Sequence, residues 1–478
     1  MLGAVLLLWT PVVNRYPLVY PDTGVYIWSS VRFGVPQDRV IGYGLWLRAA
    51  DLVSPGLSDN VNSKRISARA LWRLVPVHSL WSVIVWQAFG TSYLLVTLAE
   101  IVLARARRRT LLTAIVLGLT ALTTVVSVYV GAVMPDILSS WILLGVFVFL
   151  LAREAVDRWL AAVLLALAIF THNTHLFLAI SMVGVVAMPL LFSQSWRARF
   201  AARIKSLSLV VAGTVVGMVL TNMVLGAGPV IVRGSNTFLL NRFAESGVLT
   251  QTLALNCDAQ AWRLCVYQDT IAAHRGVDDW YLYSAEKPSA VVGWQNAPDE
   301  QGAIIAAAVK CCTDEIVQSS LQESWRQFWL LNIRAHYARL NDNMNAVTAI
   351  QNVYPREYAT FQAGVQQSGS PIAVTALPFD EQSSQMFFLA LTLLLVIICF
   401  GLRYKLGALL LLGALIFLIV NIIAPGIWNG AHPRYQGRVF WMLPYLDYLV
   451  AIGAMQWYLY RRARSETGLP ARDAASHI

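Results

Sequence analysis

The chain has very little charge for its length. Of its 478 residues only 13% are Asp, Glu, Lys or Arg, whereas 57% are hydrophobic, and the mean hydropathy is +0.57. A soluble globular protein would carry roughly twice that fraction of charged residues. The shortage of charge therefore excludes an ordinary soluble enzyme and predicts a polytopic α-helical membrane protein, with the lipid bilayer as its main partner.

Acidic residues are the scarcer charges, because 26 Asp and Glu stand against 36 Lys and Arg, a formal net charge of +10. The connections 134–137 and 171–175 contain no Lys or Arg. The connections that alternate with them are basic, and they cover residues 104–110, 153–158, 194–205, 403–405 and the tail from residue 461. Since basic connections stay on the cytoplasmic side, both termini are expected in the cytoplasm. The charge is thus typical of a multi-pass protein of a bacterial inner membrane, and no nucleic-acid partner is expected.

Long polar stretches are few. The apolar segments predict a mainly α fold with about ten transmembrane helices, at approximately residues 1–13, 79–103, 111–133, 138–152, 159–170, 176–193, 206–225, 386–402, 406–424 and 439–460. The first segment is shorter than the roughly 20 residues that a perpendicular span needs. It is interpreted as partly interfacial or as continued upstream, and it lacks the basic start and cleavage site of a signal peptide.

These segments divide the chain into four parts. Residues 1–225 form an N-terminal transmembrane module with a first outer loop at 14–78, and residues 226–385 have the composition of an extracytoplasmic domain inserted between helices seven and eight. Residues 386–460 form the last three helices, and 461–478 form a cytoplasmic tail.

Two further patterns concern the outer parts of the chain. In the first outer loop, residues 25–32 and 39–52 are amphipathic and are expected to lie at the membrane interface, with Arg side chains reaching toward water. In the inserted domain, residues 300–340 are predicted to be helical. Their apolar stripe is interpreted as core, or secondly as membrane contact, and comprises Leu321, Trp325, Phe328, Trp329 and Ile333.

Cysteine is rare, with five residues. Cys399 lies in an apolar segment and is interpreted as packing. The others, Cys257, Cys265, Cys311 and Cys312, fall in the inserted domain, where an oxidising compartment favours at least one disulfide. Cys257 and Cys265 are the nearest pairing, although sequence does not determine connectivity. No Cys-x-x-Cys occurs, so a metal site is disfavoured, and no cofactor is expected.

Familiar catalytic motifs are missing as well: there is no P-loop, Gly-rich dinucleotide turn, His-Glu-x-x-His or Gly-x-Ser-x-Gly. Two acids instead lie beside membrane segments, Asp22 in Tyr20-Pro21-Asp22-Thr23-Gly24 and Asp136 in Met134-Pro135-Asp136-Ile137. An acid at membrane depth is costly unless it faces a water-filled site. Asp22 and Asp136 are therefore candidate catalytic residues. The alternatives are a turn at Asp22 and a helix cap at Asp136.

Outer cations accompany these acids. His172 and His175 would share a face if their segment is helical. They are interpreted either as residues that bind an anionic substrate or as part of an ordinary polar turn. Metal ligation is disfavoured because a third ligand is lacking. The last outer connection contains His432, Arg434 and Tyr435, followed by Arg438. The guanidinium group of arginine binds phosphate oxygens well, so Arg434 and Arg438 are candidate phosphate ligands. The alternative interpretation is that these side chains lie at a helix end and snorkel toward water. Acids beside cations suggest a reaction in which a carboxylate deprotonates an acceptor hydroxyl and cations stabilise a departing lipid-linked phosphate.

At these motifs the chain resembles the GT-C superfamily of polytopic glycosyltransferases, over the first seven helices and more loosely at the last outer loop. The segment from Tyr20 to Tyr26 is similar to that superfamily's acid in the first outer loop, and residues 41–47, Ile-Gly-Tyr-Gly-Leu-Trp-Leu, to the interfacial helix that follows. Met134-Pro135-Asp136 falls where many members carry a second acid, and residues 170–178 where many have a short break between helices. His432-Pro433-Arg434-Tyr435 is similar to an Arg-Tyr element before a late helix.

The resemblance implies an inverting transferase that uses a polyprenyl-phosphate-linked sugar and an extracytoplasmic glycan, lipid or protein acceptor. Asp22 is then expected to be the general base, with Asp136 as second choice. The chain departs from the superfamily in having one acid in the first loop where many members have a pair, which argues against a metal site, and in the position of its inserted domain. A lipid-linked glycan ligase or polymerase of O-antigen type, and a non-enzymatic transporter or flippase, remain as alternatives.

Overall fold

The computed structural model describes residues 1–54, 77–286, 288–330, 333, 337–370, 381–428 and 430–467. This part of the chain is helical and contains no strand, although one isolated parallel bridge joins Leu18 to Ala132. The mainly α prediction is confirmed. The α-helices of the first 225 residues are Leu2–Leu6, Trp9–Asn14, Thr23–Arg32, Gly42–Leu52, Trp81–Val102, Arg109–Thr123, Val126–Gly131, Leu138–Leu151, Ala155–Thr171, Asn173–Ala187, Pro189–Phe192 and Gln194–Val224.

The inserted segment and the C-terminal part are also helical. Short 3₁₀ turns occur at Pro135–Ile137 and Arg263–Tyr267. The α-helices of this half are Ser235–Ser246, Val248–Asn256, Gln268–Ala273, Trp280–Tyr283, Pro288–Val291, Pro298–Cys311, Thr313–Trp329, Asn345–Val353, Tyr358–Gln362, Val365–Ser368, Glu381–Gly401, Lys405–Trp428, Pro433–Phe440 and Met442–Thr467.

Several of these helices suit a bilayer. Among the described residues, six are long and apolar enough to cross it: Trp81–Val102, Asn173–Phe192, Gln194–Val224, Gln382–Gly401, Lys405–Trp428 and Pro433–Ala463. Arg109–Thr123 and Pro135–Leu151 are apolar but shorter. The chain is therefore consistent with an integral membrane protein, while the number of about ten spans stays a prediction.

The first apolar segment does not form one continuous helix. It is split at Leu7 and Leu8 into Leu2–Leu6 and Trp9–Asn14, and the second piece ends at Arg15 with a left-handed φ of 65°. Trp9 Nε1 donates to Ala121 O over 2.8 Å. This segment is thus held against neighbouring helices as two short pieces.

The helix Leu138–Leu151 lies at the centre of the bundle. All of its residues except Leu151 are buried, as expected for a helix that is apolar on every side. It packs against Trp81–Val102, Ala155–Thr171 and Asn173–Ala187. The acid Asp136 stands immediately before it, so this rigid helix fixes the depth of that carboxylate.

The inserted segment packs in two parts. Residues between Leu240 and Cys312 share a separate apolar core. Residues from Ile333 to Phe361 instead join the main core of the membrane module, where Asn345–Val353 packs on Thr23–Arg32. Gln366 fastens this second part, because its Nε2 donates to Val19 O (2.6 Å) and its Oε1 accepts from Val19 N (3.1 Å). Val19 and the helix Thr23–Arg32 of the first outer loop are therefore covered by the inserted segment.

The helical prediction for residues 300–340 is confirmed only as far as Trp329, as the two helices Pro298–Cys311 and Thr313–Trp329. Among the described residues beyond it, Leu330, Ile333 and 338–340 are not helical. The apolar stripe of this segment is divided: Ile333 is buried, whereas Leu321 and Trp325 are 66% and 65% exposed. The core interpretation is therefore wrong for these two side chains. The reason is that the polar face of Thr313–Trp329, with Ser324 and Gln327 buried, packs against the end of Lys405–Trp428.

The cysteines agree with the sequence interpretation. Cys257 and Cys265 form a disulfide with a Cα–Cα separation of 5.7 Å, so the expected pairing is confirmed. The adjacent Cys311 and Cys312 are also paired, which the sequence did not single out. Cys399 is free and buried.

Candidate functional site

The two sequence-predicted acids are brought together by the backbone. Leu18 N donates to Gly131 O (2.8 Å), and Val133 N donates to Leu18 O (2.9 Å). Thr23 Oγ1 then donates to Val133 O over 3.1 Å. These bonds join the first outer loop to the turn that carries Asp136, so both carboxylates lie at the same end of the bundle.

Asp22 is bound by two arginines through a single oxygen. Its Oδ2 lies 2.9 Å from Arg434 Nη1 and 3.2 Å from Arg39 Nη1. Asp22 precedes the helix Thr23–Arg32 but makes no capping bond to it. Burial raises the pKa of Asp22, but the Arg39 and Arg434 guanidiniums outweigh it and hold that pKa well below its usual range. The turn alternative is confirmed for the backbone, since Thr23 N donates to Tyr20 O (2.9 Å), but the carboxylate itself is bound by Arg39 and Arg434.

Asp136 forms a buried ion pair. Its Oδ1 lies 3.6 Å from Arg438 Nη1, and both side chains are almost fully buried. No side-chain capping bond is made at the start of the turn Pro135–Ile137 or of the helix Leu138–Leu151. The predicted capping alternative is thus not what holds this acid, and its main neighbour is a cation.

Arg434 and Arg438 lie on one side of the helix Pro433–Phe440, since they are four residues apart. Arg438 donates from Nε and Nη2 to Asn421 Oδ1 (3.2 and 3.0 Å), and Asn421 Nδ2 donates to Tyr435 O (2.6 Å). Tyr435 lies between the two guanidiniums, at 5.1 Å from that of Arg434 and 4.9 Å from that of Arg438. Two arginines against the positive-inside bias are therefore held by specific contacts and do not snorkel into solvent.

His432 lies at the start of the same helix. Its Nε2 is 3.3 Å from the Tyr20 hydroxyl. Gln327, which is buried, donates from Nε2 to His432 O (3.0 Å) and accepts from His432 N (2.7 Å). The inserted segment therefore positions the loop that leads into Arg434.

The two histidines of residues 171–175 differ in their contacts. His175 is fully buried; its Nδ1 donates to Ala168 O (2.7 Å), so Nε2 accepts from Ser139 Oγ (2.7 Å). Both ring nitrogens are used in hydrogen bonds within the helix bundle, which favours a structural role for His175. His172 caps Asn173–Ala187 by accepting from Thr174 N at Nδ1 (3.3 Å), which puts the proton of its neutral ring on Nε2.

His172 is also near the cations of the site. Burial lowers the pKa of His172, and His175, Arg438, Arg434 and Arg39 lower it further. A neutral imidazole beside guanidiniums adds no charge but can donate one hydrogen bond. His172 thus stays a candidate substrate-binding residue.

The sequence missed Arg39, which is the second arginine on Asp22. It was interpreted only as a snorkelling residue of the amphipathic stretch 39–52. In the structure Arg39 donates from Nε and Nη2 to Asp38 Oδ2 (2.9 and 2.6 Å) and stacks on the Tyr26 ring at 5.2 Å. The signal that was available is the Asp-Arg pair just before the Gly42–Leu52 helix.

These side chains form one ion-pair cluster of three guanidiniums and three carboxylates: Arg39, Arg434, Arg438, Asp22, Asp38 and Asp136. Within it two buried donors lack a hydrogen-bond acceptor among the described residues, namely Nε of Arg434 and Nη1 of Arg438. Buried N–H groups are rarely left unpaired. The cluster therefore has the unused donors of an anion site.

A second pair of carboxyls lies at the rim, on the inserted segment. Asn241 Nδ2 donates to Glu245 Oε1 (2.8 Å) and to Asp279 Oδ1 (3.3 Å). Burial raises the pKa of Glu245 to about 7. Burial and the neighbouring Asp278 raise the pKa of Asp279, Asp22 raises it further and Arg434 lowers it, so Asp279 senses the charges of the cluster.

Among the residues that the structure describes, no group of three or more His, Cys, Asp or Glu side chains is placed to hold a metal ion. No protein-family model, no curated protein and no solved structure matches the chain.

Proposed function

We propose that this chain is a membrane glycosyltransferase of the GT-C type, which moves a sugar from a polyprenyl-phosphate carrier to an extracytoplasmic glycan, lipid or protein, with inversion at the anomeric carbon. One observation carries the proposal. Among the described residues, the buried donors Arg434 Nε and Arg438 Nη1 have no hydrogen-bond acceptor, although two carboxylates lie beside these guanidiniums. The same chain has several helices of membrane length. A lipid-linked phosphate supplies both the acceptor oxygens and a reason for the site to lie beside the bilayer.

The chemistry needs two functions from the cluster. Arg434 and Arg438 bind the phosphate oxygens and stabilise the negative charge that grows as the bond from the anomeric carbon to the phosphate oxygen breaks. Asp22 takes the proton of the acceptor hydroxyl while its oxygen bonds to the anomeric carbon. Asp136, 3.6 Å from Arg438, holds that guanidinium in place. The carrier phosphate is a good leaving group, so no acid is required opposite it.

The test is a transfer assay that does not depend on knowing the sugar. Purified protein in nanodiscs is given a panel of polyprenyl-phosphate sugars with membrane-extracted acceptors, and release of free polyprenyl phosphate is measured. Asp22→Asn should lower the rate by about 10²–10⁴-fold, the usual effect of losing a general base, while the protein still folds.

Asp157→Asn is the matched control, since it makes the same change in an acid that accepts a hydrogen bond from the Tyr93 hydroxyl (2.8 Å) and has no part in the proposed chemistry. Its rate should equal that of the parent. Near-parental release by Asp22→Asn would show that Asp22 is not the base, and absence of release from every sugar of the panel would contradict the transferase.

A further inference from the structure

The ion pair at Asp22 has an unusual construction. One oxygen, Oδ2, serves two guanidiniums from distant parts of the chain, Arg39 before the helix Gly42–Leu52 and Arg434 on the helix Pro433–Phe440. A guanidinium presents a fork of donors that suits two oxygens at once. Because Asp22 offers one oxygen to two guanidiniums, only one nitrogen of each guanidinium contacts it. In the described structure Nε of Arg434 is left without an acceptor.

A structural ion pair in the same loop looks different. Asp51 accepts from Arg48 Nη1 (3.0 Å) and from the backbone N–H groups of His78 and Ser79 (2.8 and 2.9 Å), and its side chain is 1% exposed. Asp22 is held by side chains and is 24% exposed. Asp51 is buried and hydrogen-bonded to backbone N–H groups, which cannot move away from it. Asp22 is partly exposed to solvent and is bound by arginine side chains, which can rotate to bind another anion.

We propose that Asp22 is a resident counter-anion that the donor phosphate displaces from Arg39 and Arg434, and that Asp22 becomes the base only after this exchange. The inference rests on the proposed function and adds Arg39 to the phosphate ligands. A phosphate group offers several oxygens where Asp22 offers one, so it can satisfy the unused Nε as well as both Nη1 groups.

The exchange also changes the basicity of Asp22. With the guanidiniums on its oxygen, this carboxylate is a weak proton acceptor, because both cations stabilise its ionised form. When phosphate takes those donors, Asp22 loses two favourable contacts and gains a negative neighbour, and both changes raise its affinity for a proton. An acceptor hydroxyl would thus be activated only when a donor is bound, which prevents futile chemistry in the empty site.

The experiment measures binding of farnesyl phosphate, a short polyprenyl monophosphate, to purified protein in nanodiscs by calorimetry, with no sugar transfer involved. Asp22→Asn removes the competing charge and should tighten binding by about tenfold, as expected for one charge-assisted hydrogen bond. Arg39→Gln and Arg434→Ala should weaken it by a similar factor. Asp157→Asn, with the same change of charge, should leave it unaltered.

Two further arms make the result specific. Inorganic phosphate and farnesol, each alone, separate recognition of the phosphate from that of the chain; the Asp22→Asn effect should appear with phosphate-bearing probes and not with farnesol. Asp22→Ser serves as a second variant if the Asn protein does not fold. Specific farnesyl phosphate binding that is unchanged or weaker in both Asp22 variants would overturn the exchange alone. Wild-type binding no stronger than that of Arg434→Ala would overturn the proposed function too.

Discussion

At the scale of single residues, the site is made by side chains whose partners lie far apart in sequence. The sequence singles out Asp22 and Arg434, but that Arg434 binds Asp22 follows only from the fold, because 412 positions separate them. Arg39 was missed for the same reason: beside Asp38 it resembles any interfacial arginine. Local patterns therefore identify unusual acids and cations, and do not show which of them pair.

The buried carboxyl of Glu245 gives a pH prediction. Burial raises its pKa to about 7 from the 4.5 of an exposed glutamate, so between these values the folded chain retains a proton that the unfolded chain has lost. Stability must then fall as pH rises through this window, since stability rises with pH only where the unfolded state binds more protons. Glu245→Gln cannot ionise and should lack this decrease.

Melting temperatures of the purified protein at pH 5 and pH 7.5 check it. Relative to Glu245→Gln, the parent should be destabilised at the higher pH. Glu315→Gln, an exposed acid of the same inserted segment, is the control and should follow the parent. Parallel profiles of the parent and Glu245→Gln would contradict the assignment.

At the scale of elements, the sequence predicts where helices form better than it predicts which elements pack against them. The stretches 25–32 and 39–52 are helical within Thr23–Arg32 and Gly42–Leu52. The packing of Asn345–Val353 on Thr23–Arg32 was not predictable, because Asn345–Val353 comes from the inserted segment, and Trp28 Nε1 reaches Asn345 Oδ1 (3.0 Å) across 317 positions. The stripe at Leu321 and Trp325 failed for a related reason: apolar periodicity shows that a face is apolar, but not whether protein covers it.

Gly24 in the Pro-Asp-Thr-Gly motif marks the contact between these elements. A Cβ at this position would lie 2.5 Å from the Asn345 carbonyl carbon and 2.6 Å from Ala346 N, so backbone would have to move. Gly24→Ala should therefore destabilise by about 1–3 kcal/mol, as overpacking does, despite the better helix propensity of Ala.

Gly34→Ala is the matched control, since no atom lies within 4 Å of its Cβ position. The melting temperature is measured for both variants. A Gly24→Ala protein as stable as the parent would mean that the two helices are not in close contact.

At the scale of the whole molecule, orientation decides which compartment the site serves. The candidate acids and arginines lie at the end of the bundle that carries the connections 134–137 and 171–175, which contain no Lys or Arg. By the positive-inside rule, the site is expected outside the cytoplasm. Composition alone predicted the membrane class, and the orientation stays a prediction. The number of spans was harder to predict, because segments such as residues 2–14 break into short helices.

Cysteine labelling tests the orientation directly, because the native cysteines are paired or, for Cys399, buried. A membrane-impermeant maleimide should label Val277→Cys, which is 46% exposed on the inserted segment, in intact cells. Arg107→Cys, in a basic connection, should react only after the membrane is permeabilised. Labelling of position 107 in intact cells would show that the protein has the opposite orientation in the membrane. Asp22 and Arg434 would then face the cytoplasm, and an extracytoplasmic acceptor could not reach them.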